Sequence, residues 1–164
     1  MKNIIKIAML LSLSGCFQYP DAKTGLEGKK LPSFSIVLVD STSTLNTDSI
    51  ESGKSFVIIY FEPDCPHCRA QIRDIIKHEK QLKETKFYLL TKYPYKAFRK
   101  FLFDFHLNEY KNIVPGIDYN GYFSNYLYIN TVPYFAFYDK EKRLKQVTIG
   151  KIKYKELKHY CDTL

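Results

Sequence analysis

Tryptophan is absent from this chain, and cysteine and histidine are scarce, at four residues each in 164. Four cysteines are too few for the disulfide lattice of a small secreted scaffold, and with 45 % hydrophobic residues the chain can build a core without such staples. A membrane-spanning helix is also missing: it needs about 20 consecutive apolar residues, and the stretch from Ile7 to Leu13 is far shorter. The formal net charge is +8, yet no run of more than three basic residues occurs. Nucleic-acid binding would need a concentrated patch, so the surplus is better explained by attraction to an anionic membrane surface. Internal repeats and low-complexity stretches are lacking too, which excludes repeat architectures.

What the chain does have is Cys65-Pro66-His67-Cys68, placed where an apolar strand, Phe56 to Phe61, turns into an amphipathic helix. A helix from about Cys65 to Lys83 would put Ile72, Ile75, Ile76 and Leu82 on one face. Cys65 then starts the helix, where unpaired backbone N–H groups and the positive end of the dipole favour a thiolate. Pro66 suits the first turn because its nitrogen loses no hydrogen bond there. Cys68 lies one turn on, placed to close a disulfide with Cys65. This makes Cys65 the attacking sulfur and Cys68 the resolving one. A zinc site has the same spacing and would need two more ligands, which His159 and Cys161 could supply; a static disulfide or two inert thiols would fit the spacing as well. Against zinc, such pairs usually sit on knuckle turns, and His78 and His106 form no second pair.

Further along, Thr131-Val132-Pro133 precedes another apolar strand, Tyr134 to Tyr138, followed by a turn at 139–142 and a strand from Arg143 to Gly150. On its own Pro133 reads as a strand-start proline. Combined with the strand, Cys-Pro-His-Cys and helix upstream, the pattern resembles the thioredoxin superfamily. That resemblance implies an α/β, thioredoxin-like fold, with a central mixed β-sheet flanked by helices. It also implies a cis Pro133 beside the cysteines, leaving the backbone of Val132 free to pair with an extended substrate. Leu31 to Ile36, Gly53-Lys54 and Gly150 look like the TlpA-like branch of thiol-disulfide oxidoreductases, and the resemblance spans about Leu31 to Leu164. Pro133 follows Cys65 by 68 residues, more than in plain thioredoxin and too few for the inserted helical domain of DsbA. The Pro-His dipeptide and Val132, in contrast, look like DsbA.

Departures from the family pattern bear on proton handling. Ile59 stands where thioredoxin has a buried acid, Asp64 replaces the tryptophan often found before the first cysteine, and Gln71 stands where many TlpA-like proteins have a glutamate. Glu62 is then the nearest candidate base for deprotonating Cys68, against the plainer reading of a solvated loop acid. His67 would favour the Cys65 thiolate, whereas Asp64 and Glu62 would oppose it, so both directions of electron flow stay open. Among the 14 tyrosines and 12 phenylalanines, Tyr134 and Tyr128 could line a substrate groove, with core packing as the alternative. Cys161, in a final helix from Tyr154 to Asp162, reads by default as a buried, inert thiol, with pairing to another chain or attack on the active-site disulfide as the alternatives.

The chain start, with Lys2, Lys6, a short apolar run and Leu13-Ser14-Gly15-Cys16, resembles a bacterial lipoprotein signal. The resemblance implies removal of residues 1–15, acylation of Cys16, a tether over residues 16–30 and one domain over 31–164. Phe17 lacks the aspartate that retains lipoproteins in the inner membrane of enteric bacteria, which leans toward the outer membrane where one exists.

Between these landmarks, Lys86 to Thr91 reads as a strand and Tyr95 to His106 as a helix with Phe98, Leu102 and Phe105 inward. Asn112 to Asp118 reads as a short strand or loop, and Gly121 to Tyr128 as a short helix. The expected activity is thiol-disulfide exchange with protein substrates in the bacterial cell envelope, facing the periplasm, through Cys65, Cys68, Pro66, His67, Pro133 and Glu62, with Val132 and Tyr134 at the substrate. No cofactor beyond the Cys65–Cys68 disulfide and no metal is expected; the partners would be protein thiols, a membrane redox protein and the membrane itself, the chain being a monomer. Two rivals remain. A peroxiredoxin-like peroxidase would have a threonine or serine where Pro63 and Asp64 stand, and a non-catalytic thioredoxin-fold binding module usually loses one cysteine.

Overall fold

The computed structural model describes residues 22–40 and 42–164. Cys16, the expected lipid attachment, and the signal segment 1–15 lie outside the described residues. Seven strands form one sheet in the order β2-β1-β5-β4-β3-β6-β7, with β1 Ser35–Leu38, β2 Thr44–Asn46, β3 Phe56–Tyr60, β4 Lys86–Thr91, β5 Ile113–Ile117, β6 Tyr134–Tyr138 and β7 Leu144–Ile149. The β3–β4 and β4–β5 pairs are parallel and the others antiparallel, so the sheet is mixed. Every residue of β3 and β6 is buried, which is why neither shows a polar alternation: both faces of these strands are covered.

Helices α1 Pro66–Lys77, α3 Tyr95–Phe105 and α5 Tyr154–Asp162 pack on the face carrying Val57, Ile59, Phe87, Leu89, Phe135 and Phe137. A second core on the other face holds Phe56, Ile58, Tyr60, Tyr134, Ala136 and Tyr138 under the short helix α4 Tyr122–Tyr126 and the segment containing Leu31 and Phe34. The helix expected to run unbroken to Lys83 stops at Lys77. His78 leaves helical geometry (φ −110°, ψ 23°), its ring stacks on Tyr154 at 3.8 Å, and a separate turn, α2 Glu79–Leu82, brings Leu82 into the core.

The segment read as a tether is partly built into the sheet. Ala22 bridges Val147, Lys30 bridges Arg143, the Gly28 N–H donates to the Leu144 carbonyl (2.7 Å), and the Leu144 N–H donates to that of Lys29 (2.9 Å). Residues 22–30 thus cover the edge of β7. Their polar composition hides this, because the attachment is made by backbone groups. Strands β1 and β2 were likewise not foreseen; they are four and three residues long, too short for a period to show.

Candidate active site

β3 ends at Tyr60, and the chain turns through Glu62, Pro63 and Asp64 to reach Cys65, whose N–H donates to the Glu62 carbonyl (3.1 Å). Cys65 is the N-cap of α1: its dihedrals are extended and its Sγ accepts the Cys68 N–H at 3.3 Å. The sulfur therefore takes the place that a serine or aspartate oxygen takes at other helix starts. Pro66 occupies the first turn, as its missing donor allows. Cys65 is partly exposed and Cys68 fully buried, and both are free thiols. Burial pushes the Cys68 thiol far above its usual range; the hydrogen bond with the Cys65 side chain and the Glu62 charge act in the same direction, while the Glu62 backbone N–H opposes them. One sulfur is thus accessible at a helix start and the other is held protonated behind it.

His67 is exposed on the first turn and makes no side-chain hydrogen bond among the described residues. Glu62 is half-buried, and the Tyr93 hydroxyl donates to its Oε2 at 3.3 Å. The negative charges of Glu62, Asp64 and Cys65 raise the Tyr93 phenol above its ordinary value, Glu62 being the largest cause. Tyr93 lies just past the end of β4, where its N–H donates to Thr91 Oγ1 (3.2 Å). Sequence reading missed it, because only the parallel pairing of β3 with β4 brings this loop beside Glu62.

Arg69 was also missed. Its Nη1 donates to the Pro63 carbonyl (3.2 Å), its Nη2 pairs with Asp104 (2.8 Å), and its guanidinium lies 4.9 Å from the Phe105 ring centre. It ties the loop before Cys65 to α3, and its position one turn after Cys65 was the only available signal. Gln71 is fully buried; its Oε1 accepts the Ile152 N–H (2.9 Å) and its Nε2 has no partner.

The Val132–Pro133 peptide is cis, as the resemblance implied, and the Pro133 carbonyl accepts the Gly150 N–H at 2.8 Å. Val132 is half-buried and packs against both cores. Tyr134 does not line an open groove: it is 4 % exposed, because it pairs with Tyr60 inside the sheet and turns its ring into the second core. Tyr128, at 87 % exposure, is the tyrosine that remains open in this region. Cys161 is buried, its thiol pushed up to about 11 by desolvation, and it contacts Thr85 just before β4 begins. Since β3 and β4 are parallel, that is the end of the sheet opposite to Cys65, so Cys161 and Cys68 do not share one ligand set. Among the described residues no group of three or more His, Cys, Asp or Glu side chains comes together as metal ligands.

No family model and no curated protein matches the sequence. Solved structures do match. A secreted Mycobacterium tuberculosis disulfide oxidoreductase, described as homologous to E. coli DsbE, has 19 % identity and a TM-score of 0.65 over 80 % of this chain and 96 % of its own. The exposed lipoprotein thioredoxin of Streptococcus pneumoniae has 18 % identity and a TM-score of 0.65 over 81 % of this chain and 100 % of its own. Enterococcus faecalis AhpC has 14 % identity and a TM-score of 0.69 over 84 % of this chain and 91 % of its own. At such identities the similarity establishes the fold, which is thioredoxin-like.

Proposed function

We propose that this chain is a TlpA-like thiol-disulfide oxidoreductase of the bacterial cell envelope, held to a membrane through acylated Cys16 and acting on protein thiols or disulfides. The observation that carries the reading is the asymmetric sulfur pair: Cys65 caps α1 and is accessible, while Cys68 is buried behind it and donates its N–H to the Cys65 sulfur. The similarity to a secreted disulfide oxidoreductase and to an exposed lipoprotein thioredoxin supports the same class and location.

In the reducing direction, the Cys65 thiolate attacks one sulfur of a substrate disulfide. That S–S bond breaks, the second substrate sulfur leaves as a thiolate and takes a proton, and a mixed disulfide remains on Cys65. Cys68 then gives its proton to the Glu62 carboxylate, which Tyr93 steadies, and its sulfur attacks Cys65. The Cys65–Cys68 bond forms, the mixed disulfide breaks, and the reduced substrate departs with two electrons. The reverse order donates a disulfide, and a membrane redox partner would reset the pair in either case. The Val132 backbone is the proposed contact for an extended substrate segment, with Pro66, His67 and Pro133 shaping the surface around Cys65. The protein works as a monomer and needs no cofactor beyond its own disulfide.

Cys68→Ser should accumulate covalent complexes with envelope proteins that dithiothreitol releases, and Cys65→Ser should abolish exchange. Absence of mixed disulfides from Cys68→Ser would overturn the mechanism. Peroxide consumption without any protein substrate would instead favour a peroxidase.

A further inference from the structure

We infer that the outer face of α3 is a docking surface for an anionic lipid bilayer. The inner face of this helix is spent on the core through Phe98, Phe101, Leu102 and Phe105. Its outer face carries Phe103, 78 % exposed, with Arg99 one turn and Lys96 two turns before it on the same stripe. A single exposed phenylalanine would need no explanation. Here, however, Phe103 shares an open cleft of about 620 Å³ with Val39, itself 40 % exposed, and Arg99 and Lys111 stand at the rim.

The charged residues that line the cleft, Arg99 and Lys111, are both basic, with Asp40 and Glu109 next to it in the chain. Lys96, Arg99 and Lys111 have no ion pair among the described residues, and Arg99 lies over the Tyr95 ring at 5.8 Å. Asp104, the acid on α3, is already engaged by Arg69 (2.8 Å) and Lys100 (3.0 Å), which hold its carboxyl below the usual range. An apolar tip within a ring of unpaired cations suits the boundary between headgroups and acyl chains, with the cations meeting lipid phosphates. A second copy is a poorer occupant, because a two-fold interface would set this cationic stripe against itself. The position also fits an enzyme that must reach soluble partners. α3 begins beside the loop before Cys65, where Pro63, Asp64 and Pro94 line one cleft, and Phe103 lies about 12 Å further along the helix. Contact centred on Phe103 therefore leaves Cys65 clear of the headgroups.

The absence of tryptophan gives a clean probe. The full chain with Cys16→Ser, which removes any acyl group, and Phe103→Trp carries a single indole on the proposed face. Its emission should shift to the blue on phosphatidylglycerol vesicles, return in high salt, and stay unshifted on phosphatidylcholine. Tyr119→Trp, at a 79 % exposed site past the end of β5, should not shift on either. Arg99→Glu with Lys111→Glu should weaken the phosphatidylglycerol response about tenfold or more. An unshifted Phe103→Trp on vesicles that have bound the chain would overturn the proposal, as would a shift in buffer that grows with protein concentration, which would assign the face to a second copy. Thiol exchange with a soluble disulfide, measured without vesicles, should be unchanged in these variants, so this inference and the redox reading fail separately.

Discussion

Gln71→Glu places an acid at a sealed position, and the structure indicates what it should cost. The side chain keeps its shape, and one oxygen can still accept the Ile152 N–H that Gln71 Oε1 accepts at 2.9 Å. The other oxygen replaces an amide nitrogen that has no partner, so the protonated acid should be tolerated. The ionised acid should not, since the site is fully buried and offers one N–H and no cation. Buried carboxyls shift upward by as much as 3 to 5 units; allowing for the Ile152 N–H, about 2 units is reasonable, or about 2.7 kcal/mol. The sign follows from linkage. A carboxyl raised in the folded state lets stability stay whole below its unfolded value near about 4.3, fall as pH rises through the two or so units above it, and level off near neutrality. At about 2 to 4 °C per kcal/mol for a chain of this size, the variant should melt about 5 to 10 °C below the parent at pH 7.5 and nearly with it at pH 4. Circular dichroism melts across that range would show it, and a melting gap that ignores pH would mean the position is not sealed. As a comparison, Gln71→Leu leaves the Ile152 N–H unpaired and should lose about 1 to 3 kcal/mol at every pH.

Other expectations are shorter. Glu62→Gln should slow release of the mixed disulfide by about a hundredfold, since positioned acid–base groups contribute at least that much, and its rate should climb with pH more steeply than the parent's because only spontaneously ionised Cys68 then reacts. Tyr93→Phe should show the same pattern, weaker; quenched-flow trapping of the intermediate would read both, and a normal pH profile in both variants would remove the pair from the mechanism. Gly116→Ala should destabilise by about 1 to 3 kcal/mol, because its Cβ would overlap the buried Ile36 Cγ2 methyl where β5 pairs with β1; an unchanged denaturation midpoint would contradict the packing. Stability should fall above about pH 9: the Cys161 thiol is raised to about 11 and the Tyr60 and Tyr134 phenols to about 12 in the folded state, so the unfolded chain loses these protons first. Equal melting temperatures at pH 8 and 10.5 would refute that.

Much of the fold is readable where a period or a long apolar run exists. Lys86–Thr91, Tyr134–Tyr138 and Tyr154–Asp162 match their expected bounds, and Cys65 sits at the helix start that its place after an apolar strand requires. The losses have physical causes. His78 interrupts α1 through a ring contact with Tyr154, a residue 76 positions away. The docking of residues 22–30 is made by main-chain groups, and pattern reading does not see these. The place of Tyr134 directly after Pro133 suggests a groove, yet strand alternation turns its ring inward. Within the site, the two cysteines and Glu62 can be picked from local context. Tyr93 and Arg69 cannot, since their partners come from separate elements that meet only in the folded sheet.

The bridge between Ala22 and Val147 sets the length of the leash. With the lipid on Cys16, as proposed, five residues, 17–21, lie between the acylated residue and Ala22. Fully drawn out, the six steps from Cys16 to Ala22 reach at most about 20 Å, against a width of at least about 28 Å, twice the radius of gyration, for a domain of this size. That greatest reach is less than the width of the domain. Held in the proposed way, the enzyme would not sweep the compartment for distant clients; its disulfide traffic would be confined to proteins that pass close to the membrane.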